Sequence, residues 1–367
     1  MYNASCSIIR LYLCICVFIS SQCCEISDTE RNETMPDSTM EAMVLNRFGG
    51  PEVLELATIE RPRAEPGQVV VQVAYAGVNP ADWKAREGWL SRYFDYAFPF
   101  VVGFDAAGIV AEVGAGVTGL AVGDRVVTAS NQGKGERGSY AQYVRSDRER
   151  VVKLPGHVSL RDAAALPTAA ITAWEAVFDV GGATAGQHVL VNGGAGGTGG
   201  FAVQLAHMAG AKVAATCGPA NLDYVRGLGA DLAIDYRRGG VREAVAAWAP
   251  EGVDLVVDTV GQGSLLDSIE MVRPGGIVAP IGTLIADEPM PDPARAAERG
   301  VRIVPTIASF ERQERQLNAL VEALAAGRIR PPRIDVLPLA EAGEAQRRVA
   351  DGHVRGKLLL AVDETLA

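Results

Sequence analysis

Chemistry is most directly suggested by the stretch Val189-Leu190-Val191-Asn192-Gly193-Gly194-Ala195-Gly196-Gly197-Thr198-Gly199. Gly194, Gly196 and Gly199 satisfy the spacing G-x-G-x-x-G. In that pattern the first glycine permits a tight turn, the second lets the backbone approach a pyrophosphate, and the third lets helix and strand pack closely. Ala195, Gly197 and Thr198 complete the loop, and the helix that follows offers free N–H groups and a positive dipole end to phosphate oxygens. In a chain with 41 glycines the spacing alone is weak. Here it follows an apolar strand and opens an apolar helix, so dinucleotide binding is expected rather than a structural turn.

The surrounding pattern supplies the elements that would hold such a loop. Downstream of Val189-Leu190-Val191, helical stretches near 198–208, 222–228, 241–248 and 264–271 alternate with strands at 212–216, 231–234, 254–258 and 276–281. That alternation predicts βαβ units and a doubly wound parallel sheet. Upstream, short β-rich segments at 42–45, 69–78, 106–113, 125–127 and 140–144 are separated by Gly114, Gly116, Gly119 and Gly123. They predict a smaller, mostly antiparallel β domain. Leu317, Leu320, Val321 and Leu324 mark one helical face that Gly327 ends, and strand-like 334–337 and 358–362 close the chain.

The second strand of the alternating region ends Ala215-Thr216-Cys217-Gly218-Pro219-Ala220-Asn221. A site for NAD would place an acid there for the ribose 2′-hydroxyl. None is present, so nothing repels a 2′-phosphate and NADP(H) is favoured. The nearest basic residues are Arg237 and Arg238, beside Tyr236.

Composition narrows the classes. The chain has 367 residues, 48% hydrophobic and 21% charged, which excludes a disordered chain and predicts a sizeable core. A net charge of −10 argues against nucleic-acid binding. Of the 6 cysteines only Cys217 lies beyond residue 24, so the body holds neither a disulfide framework nor a cysteine-based zinc cluster. The four histidines, His157, His188, His207 and His353, are scattered without ligand spacing and read as surface or packing residues.

Residues 1–39 differ from the rest. The apolar run 11–19 has the length of a signal-peptide core, but Arg10 is the only basic residue before it and no small-residue cleavage site follows. Export or membrane tethering through 1–24 is one reading. The favoured one is an upstream extension, with translation starting at Met35, Met40 or Met43 and a cytoplasmic body in which one cysteine meets a reducing compartment.

Several stretches, in this order, carry a family resemblance: Phe48-Gly49-Gly50-Pro51-Glu52-Val53-Leu54, Gly77-Val78-Asn79-Pro80-Ala81-Asp82, Gly103-Phe104-Asp105-Ala106-Ala107-Gly108, Gly123-Asp124-Arg125-Val126, the glycine loop, Gly229-Ala230-Asp231, Asp258-Thr259-Val260-Gly261 and Gly352-His353-Val354-Arg355-Gly356-Lys357. Spanning about 42–362, they resemble the medium-chain dehydrogenase/reductase superfamily, within it the zinc-free, zeta-crystallin-like quinone oxidoreductases. The resemblance implies an α/β fold: a GroES-like β domain over 40–170 and 306–367, and a Rossmann domain over 171–305. Zinc-dependent relatives use Cys, His and Glu as ligands. Here Asn79 and Asp82 lie in the first ligand region, Phe104-Asp105 replaces the His-Glu pair, and 130–139 lacks cysteine, so no metal is expected.

The resemblance further implies hydride transfer from NADPH to a quinone, or alternatively to an enone, with a non-catalytic NADPH-binding protein as a third possibility. It places Asn79 and Thr172 near the nicotinamide or acceptor, and Gly218, Tyr236 and Arg237 near the cofactor's phosphate side. Gly282 and Thr283 fall along its nicotinamide half, and Lys357 within reach of its phosphates. Leu222 stands where some relatives carry a phosphate-binding lysine. A tyrosine proton donor is expected at Tyr93 or Tyr96, and a homodimer through an edge strand at 301–304. Asn79 also fits a plain turn before Pro80, and Asp82 reads as a structural partner of nearby backbone.

Overall fold

The computed structural model describes residues 38–366 apart from 135, 284, 286, 287, 309 and 353. The leader reading thus lies outside the described residues up to position 37, as does the reading of His353. Among the described residues no helix is long and apolar enough to cross a membrane.

The first strands form the β domain. β1 (Thr39–Leu45) lies between β2 (Glu55–Glu60) and β4 (Phe100–Val101) in a small antiparallel sheet, and β3 (Gln68–Val78) is the longest strand of the second sheet. β3 pairs antiparallel with β5 (Asp105–Val113), which passes the sheet on to β6 (Arg125–Ala129) and β8 (Val151–Lys153), while β7 (Tyr143–Asp147) adds to the free end of β3. The Val-rich run of β3 is buried on both faces, which explains why its apolar residues are continuous rather than alternating.

The alternating region folds as a six-stranded parallel sheet of β9 (His188–Asn192), β10 (Lys212–Cys217), β11 (Leu232–Asp235), β12 (Val253–Asp258), β13 (Val272–Pro280) and β14 (Arg302–Ile303). Its spatial order β11-β10-β9-β12-β13-β14 is the doubly wound dinucleotide-binding order, with β9 first in sequence and its loop at the point where the order reverses. The helix expected over 264–271 is confined to Ser268–Met271, because Gly261 and Gly263 turn the chain before it. The edge strand expected at 301–304 is the two-residue β14. The chain then returns to the β domain, where β15 (Ile334–Pro338) pairs parallel with β16 (Lys357–Ala361), and β16 pairs antiparallel with β3.

One apolar cluster joins the two sheets. Ala74, Ala107, Val127 and Val152 of the β domain pack in the same core as Val189, Val191, Phe201 and Leu205. The helix Pro167–Trp174 lies in that core and carries Ile171, Ala170 and Ala173. Burial at about 25 cal/mol per Å2 of apolar surface holds the two sheets in a fixed relation, so residues from each can meet across the cleft.

Candidate active site

The glycine loop leaves β9 and enters the helix Gly197–Met208. Its shape is held from below by Asn192, whose Nδ2 donates to Asp258 Oδ1 (2.8 Å) and Ser264 Oγ (3.0 Å), while its Oδ1 accepts from Thr216 Oγ1 (2.6 Å). Thr216 in turn receives the N–H groups of Gly193, on Oγ1, and Gly194, on its carbonyl. The turn glycine is not the expected one. Gly193 takes the positive φ, at 85°, and Gly194 instead lies against Ala215, where an added Cβ would sit 2.8 Å from the Ala215 Cβ. Gly199 behaves as the spacing predicts: a Cβ there would lie 2.1 Å from the Gly193 carbonyl oxygen.

Above the loop the space is open. A Cβ on Gly196 would meet only the Gly193 oxygen at 3.6 Å, and one on Gly218 would meet nothing within 4 Å. Gly218 stands at the end of β10, followed by a turn over Pro219–Asn221, and the Asn221 Oδ1 is buried without a hydrogen-bond partner. Tyr236 and Arg237 lie exposed beyond β11, with the Arg237 guanidinium 5.9 Å from the Tyr236 ring centroid. Arg355, quoted only as part of a motif in the sequence, donates to the Ala220 carbonyl (2.8 Å) and lies 5.6 Å over the Tyr224 ring. An open glycine cradle with Arg237 and Arg355 near the end of β10 fits the phosphates of a dinucleotide.

Opposite the loop lies a buried polar cluster. Gly356 donates its N–H to the Ala195 carbonyl at 2.9 Å, which brings the next residue, Lys357, against Gly197. The Lys357 ammonium turns inward instead of toward the loop. It donates to Asn79 Oδ1 (2.5 Å) and the Val78 carbonyl (3.2 Å), and lies 3.5 Å from Asp105 Oδ2. Asn79 Nδ2 donates to the same Asp105 oxygen at 2.8 Å. Asp105 Oδ1 accepts from the Thr168 N–H (2.9 Å) and hydroxyl (2.5 Å), and Thr172, one turn on, donates to the Thr168 carbonyl at 2.7 Å.

Asp82 anchors the start of the helix Pro80–Arg86. Its Oδ2 accepts from the Asn79 N–H (2.7 Å) and the Tyr140 hydroxyl (3.1 Å), and its Oδ1 from the Phe104 N–H (3.0 Å). Burial, with the Asp105 charge adding to it, pushes the Asp82 carboxyl up to about 7. The Tyr140 hydroxyl is raised by burial and by Asp82.

The helix also presents Lys84, which the sequence reading missed. Nearly buried, it donates to the Thr283 carbonyl, and its ammonium lies 5.3 Å from the Trp83 ring and 5.9 Å from Trp89. Burial lowers its pKa, opposed by Glu288. The Thr283 hydroxyl donates to Glu288, and Gly282 packs against Ile307. The expected tyrosines separate. Tyr93 is 56% exposed, whereas Tyr96 packs edge-on against Phe48 and Phe100, with a hydroxyl that is buried, without a partner and pushed up to about 12.

These features agree with the comparisons to known proteins. Residues 65–156 match the alcohol dehydrogenase GroES-like domain family, and residues 228–360 match the zinc-binding dehydrogenase family. A quinone oxidoreductase from Lama guanicoe is 30% identical over 88% of this chain and 97% of its own length. The chain belongs to the medium-chain dehydrogenase/reductase superfamily, in its quinone oxidoreductase branch. A 2-methylene-furan-3-one reductase from Solanum lycopersicum is 37% identical over 69% of this chain, a match that spans 64% of that relative. The solved quinone oxidoreductase of Coxiella burnetii superposes with a TM-score of 0.77 at 29% identity, covering 88% of this chain and 99% of the other.

The second family description names zinc, but the residues do not fit it. No group of three or more His, Cys, Asp or Glu among the described residues could hold a metal ion. Both Asp105 oxygens already accept hydrogen bonds, and the ammonium of Lys357 stands beside them.

Proposed function

We propose that the chain is an NADPH-dependent reductase whose acceptor is a quinone or an enone. The observation that carries this reading is the contact between the phosphate loop and the Asn79 cluster: Gly356 bonds Ala195 while its neighbour Lys357 bonds Asn79. Cofactor and acceptor would therefore meet at one place.

Bound NADPH supplies the hydride. The loop of Gly194, Ala195, Gly196, Gly197, Thr198 and Gly199 would hold the pyrophosphate on backbone N–H groups. Gly218, Tyr236 and Arg237 would hold the 2′-phosphate side of the cofactor, and Gly282 and Thr283 its nicotinamide half. Asn79 Nδ2 keeps a second hydrogen, and it meets the acceptor oxygen as negative charge gathers there. Thr172 borders the same space from the helix behind it. Lys84 gives the proton that completes a two-electron reduction, since burial makes its ammonium readier to release one.

Lys84 favours the enone within this pair. A hydroquinone oxygen can be protonated by water, whereas a carbon centre gains more from a positioned acid. The reading carries with it a cytosolic body and pairing of two copies along β14, which light scattering on the purified chain checks. The deciding experiment is NADPH oxidation by the full chain against a quinone panel and an enone panel. Turnover with either class is expected, and turnover with neither overturns the reading in favour of a non-catalytic NADPH-binding protein.

A further inference from the structure

We propose that Lys357 is the built-in cation of the active site: a positioning residue that, with Asp105, fixes the Asn79 amide so that its free Nδ2 hydrogen faces the acceptor. This rests on the reductase reading above.

Lys357 is 3% exposed and Asn79 2%, while Asp105 and Asp82 are fully buried. An ammonium that deep costs several kcal/mol unless it is paired, so its place demands a reason. An ammonium has three donors, and those of Lys357 face Asn79 Oδ1, the Val78 carbonyl and Asp105 Oδ2. None is left for a cofactor phosphate.

The consequence falls on Asn79. Its amide lies between a cation on the oxygen side and a carboxylate on the nitrogen side. Flipping it would set an NH2 group against an ammonium and an oxygen against a carboxylate, so only one orientation is stable. Asp82 fixes the backbone of the same residue by accepting its N–H. With one Nδ2 hydrogen on Asp105, the other is aimed by the fold and polarised by the adjacent ammonium. The chain itself supplies this positive charge, 278 residues along the sequence from the amide it orients.

The test pairs two variants, because Lys357→Met alone strands a buried carboxylate and can prevent folding. Lys357→Met/Asp105→Asn removes both charges and keeps one carbonyl oxygen, which can face either Asn79 Nδ2 or the Thr168 donors. We expect that pair to fold, to bind NADPH as the parent does, and to lose about a hundredfold in kcat with KM nearly unchanged. The 15N-resolved side-chain amide signal of Asn79, assigned with Asn79→Asp, should show two well-separated, slowly exchanging protons in the parent and lose both features in the pair. Zinc analysis and chelator treatment of the parent should show no bound metal and no loss of activity. A pair with parental kcat overturns the proposal, as does an unchanged Asn79 signal or one zinc per chain whose removal abolishes activity. A parent that turns over no acceptor refutes the reductase reading, while the amide signal still decides whether Lys357 positions Asn79.

Discussion

The backbone N–H of Gly356 donates to the carbonyl of Ala195 across 2.9 Å, tying the C-terminal strand of the β domain to the phosphate loop of the parallel sheet. Gly196 and Gly356 also form a parallel bridge. Loop shape and cluster position are therefore one structural quantity, and altering the loop should disturb acceptor chemistry as well as cofactor binding.

The sharpest test of loop shape is Gly199→Ala. Its Cβ would lie 2.1 Å from backbone oxygen that cannot move without opening the Gly193 turn. We expect a loss of about 1–3 kcal/mol in stability and at least tenfold weaker NADPH binding, read by thermal melting and by quenching of protein fluorescence. Gly218→Ala is the control. Its φ is −72° and nothing lies within 4 Å of the added carbon, so the fold should be unaffected. Equal destabilisation of both variants would refute the assignment.

Asp82 predicts a pH dependence of stability. An unfolded aspartate titrates near pH 4, whereas burial holds Asp82 protonated to about 7. Between those values the folded chain binds more protons than the unfolded one, so stability falls as pH rises through the window and levels off above it. Each pH unit of separation corresponds to about 1.4 kcal/mol. Denaturant titrations from pH 4.5 to 8 should show that slope in the parent and a flatter line in Asp82→Asn. A parent whose stability rises across the window would contradict the assignment.

Lys84→Met and Tyr93→Phe separate the proton donors. If Lys84 delivers the proton, Lys84→Met should cut enone turnover by about ten- to a thousandfold, with a smaller effect on quinones. Tyr93 is largely exposed, and Tyr93→Phe should leave both acceptor classes near parental rates. Stopped-flow traces with each acceptor make the comparison, and a Tyr93→Phe defect confined to enones would reverse the assignment.

The parallel sheet and its loop were legible because their signals are local: apolar strands, an apolar helix and glycines at fixed spacing. Even there the run Gly193-Gly194 made the pattern degenerate, and the residue with positive φ is one position earlier than the motif implies. The polar cluster was only half legible. Asn79 and Asp82 are three residues apart, so one motif revealed both, whereas Lys357 meets Asn79 only through the pairing of β16 with β3. The family resemblance places Lys357 within reach of the phosphates, and Gly356 does adjoin the loop, yet buried acceptors draw the ammonium the other way. Asp105 did carry a signal, as an acid at the head of a strand whose next residues are Ala, Ala, Gly, Ile and Val. Lys84 carried none, since the seven-residue helix Pro80–Arg86 is too short to display a periodic face.

On the proposed NADPH reading, cofactor choice is expected to turn on Arg355. Its guanidinium bonds the Ala220 carbonyl beside Gly218 and Asn221, at the end of β10 where the ribose of a bound dinucleotide would lie. It approaches from the β domain, while Arg237 approaches from beyond β11. A charge-assisted bond to phosphate contributes about 1.5–3 kcal/mol. Arg355→Ala should therefore raise KM for NADPH by about ten- to a hundredfold and leave KM for NADH nearly unchanged, and Arg237→Ala should act in the same direction. Steady-state rates with both cofactors measure this. A parent enzyme that prefers NADH, or an Arg355→Ala variant that loses both cofactors equally, would instead assign Arg355 to holding the Pro219–Asn221 turn.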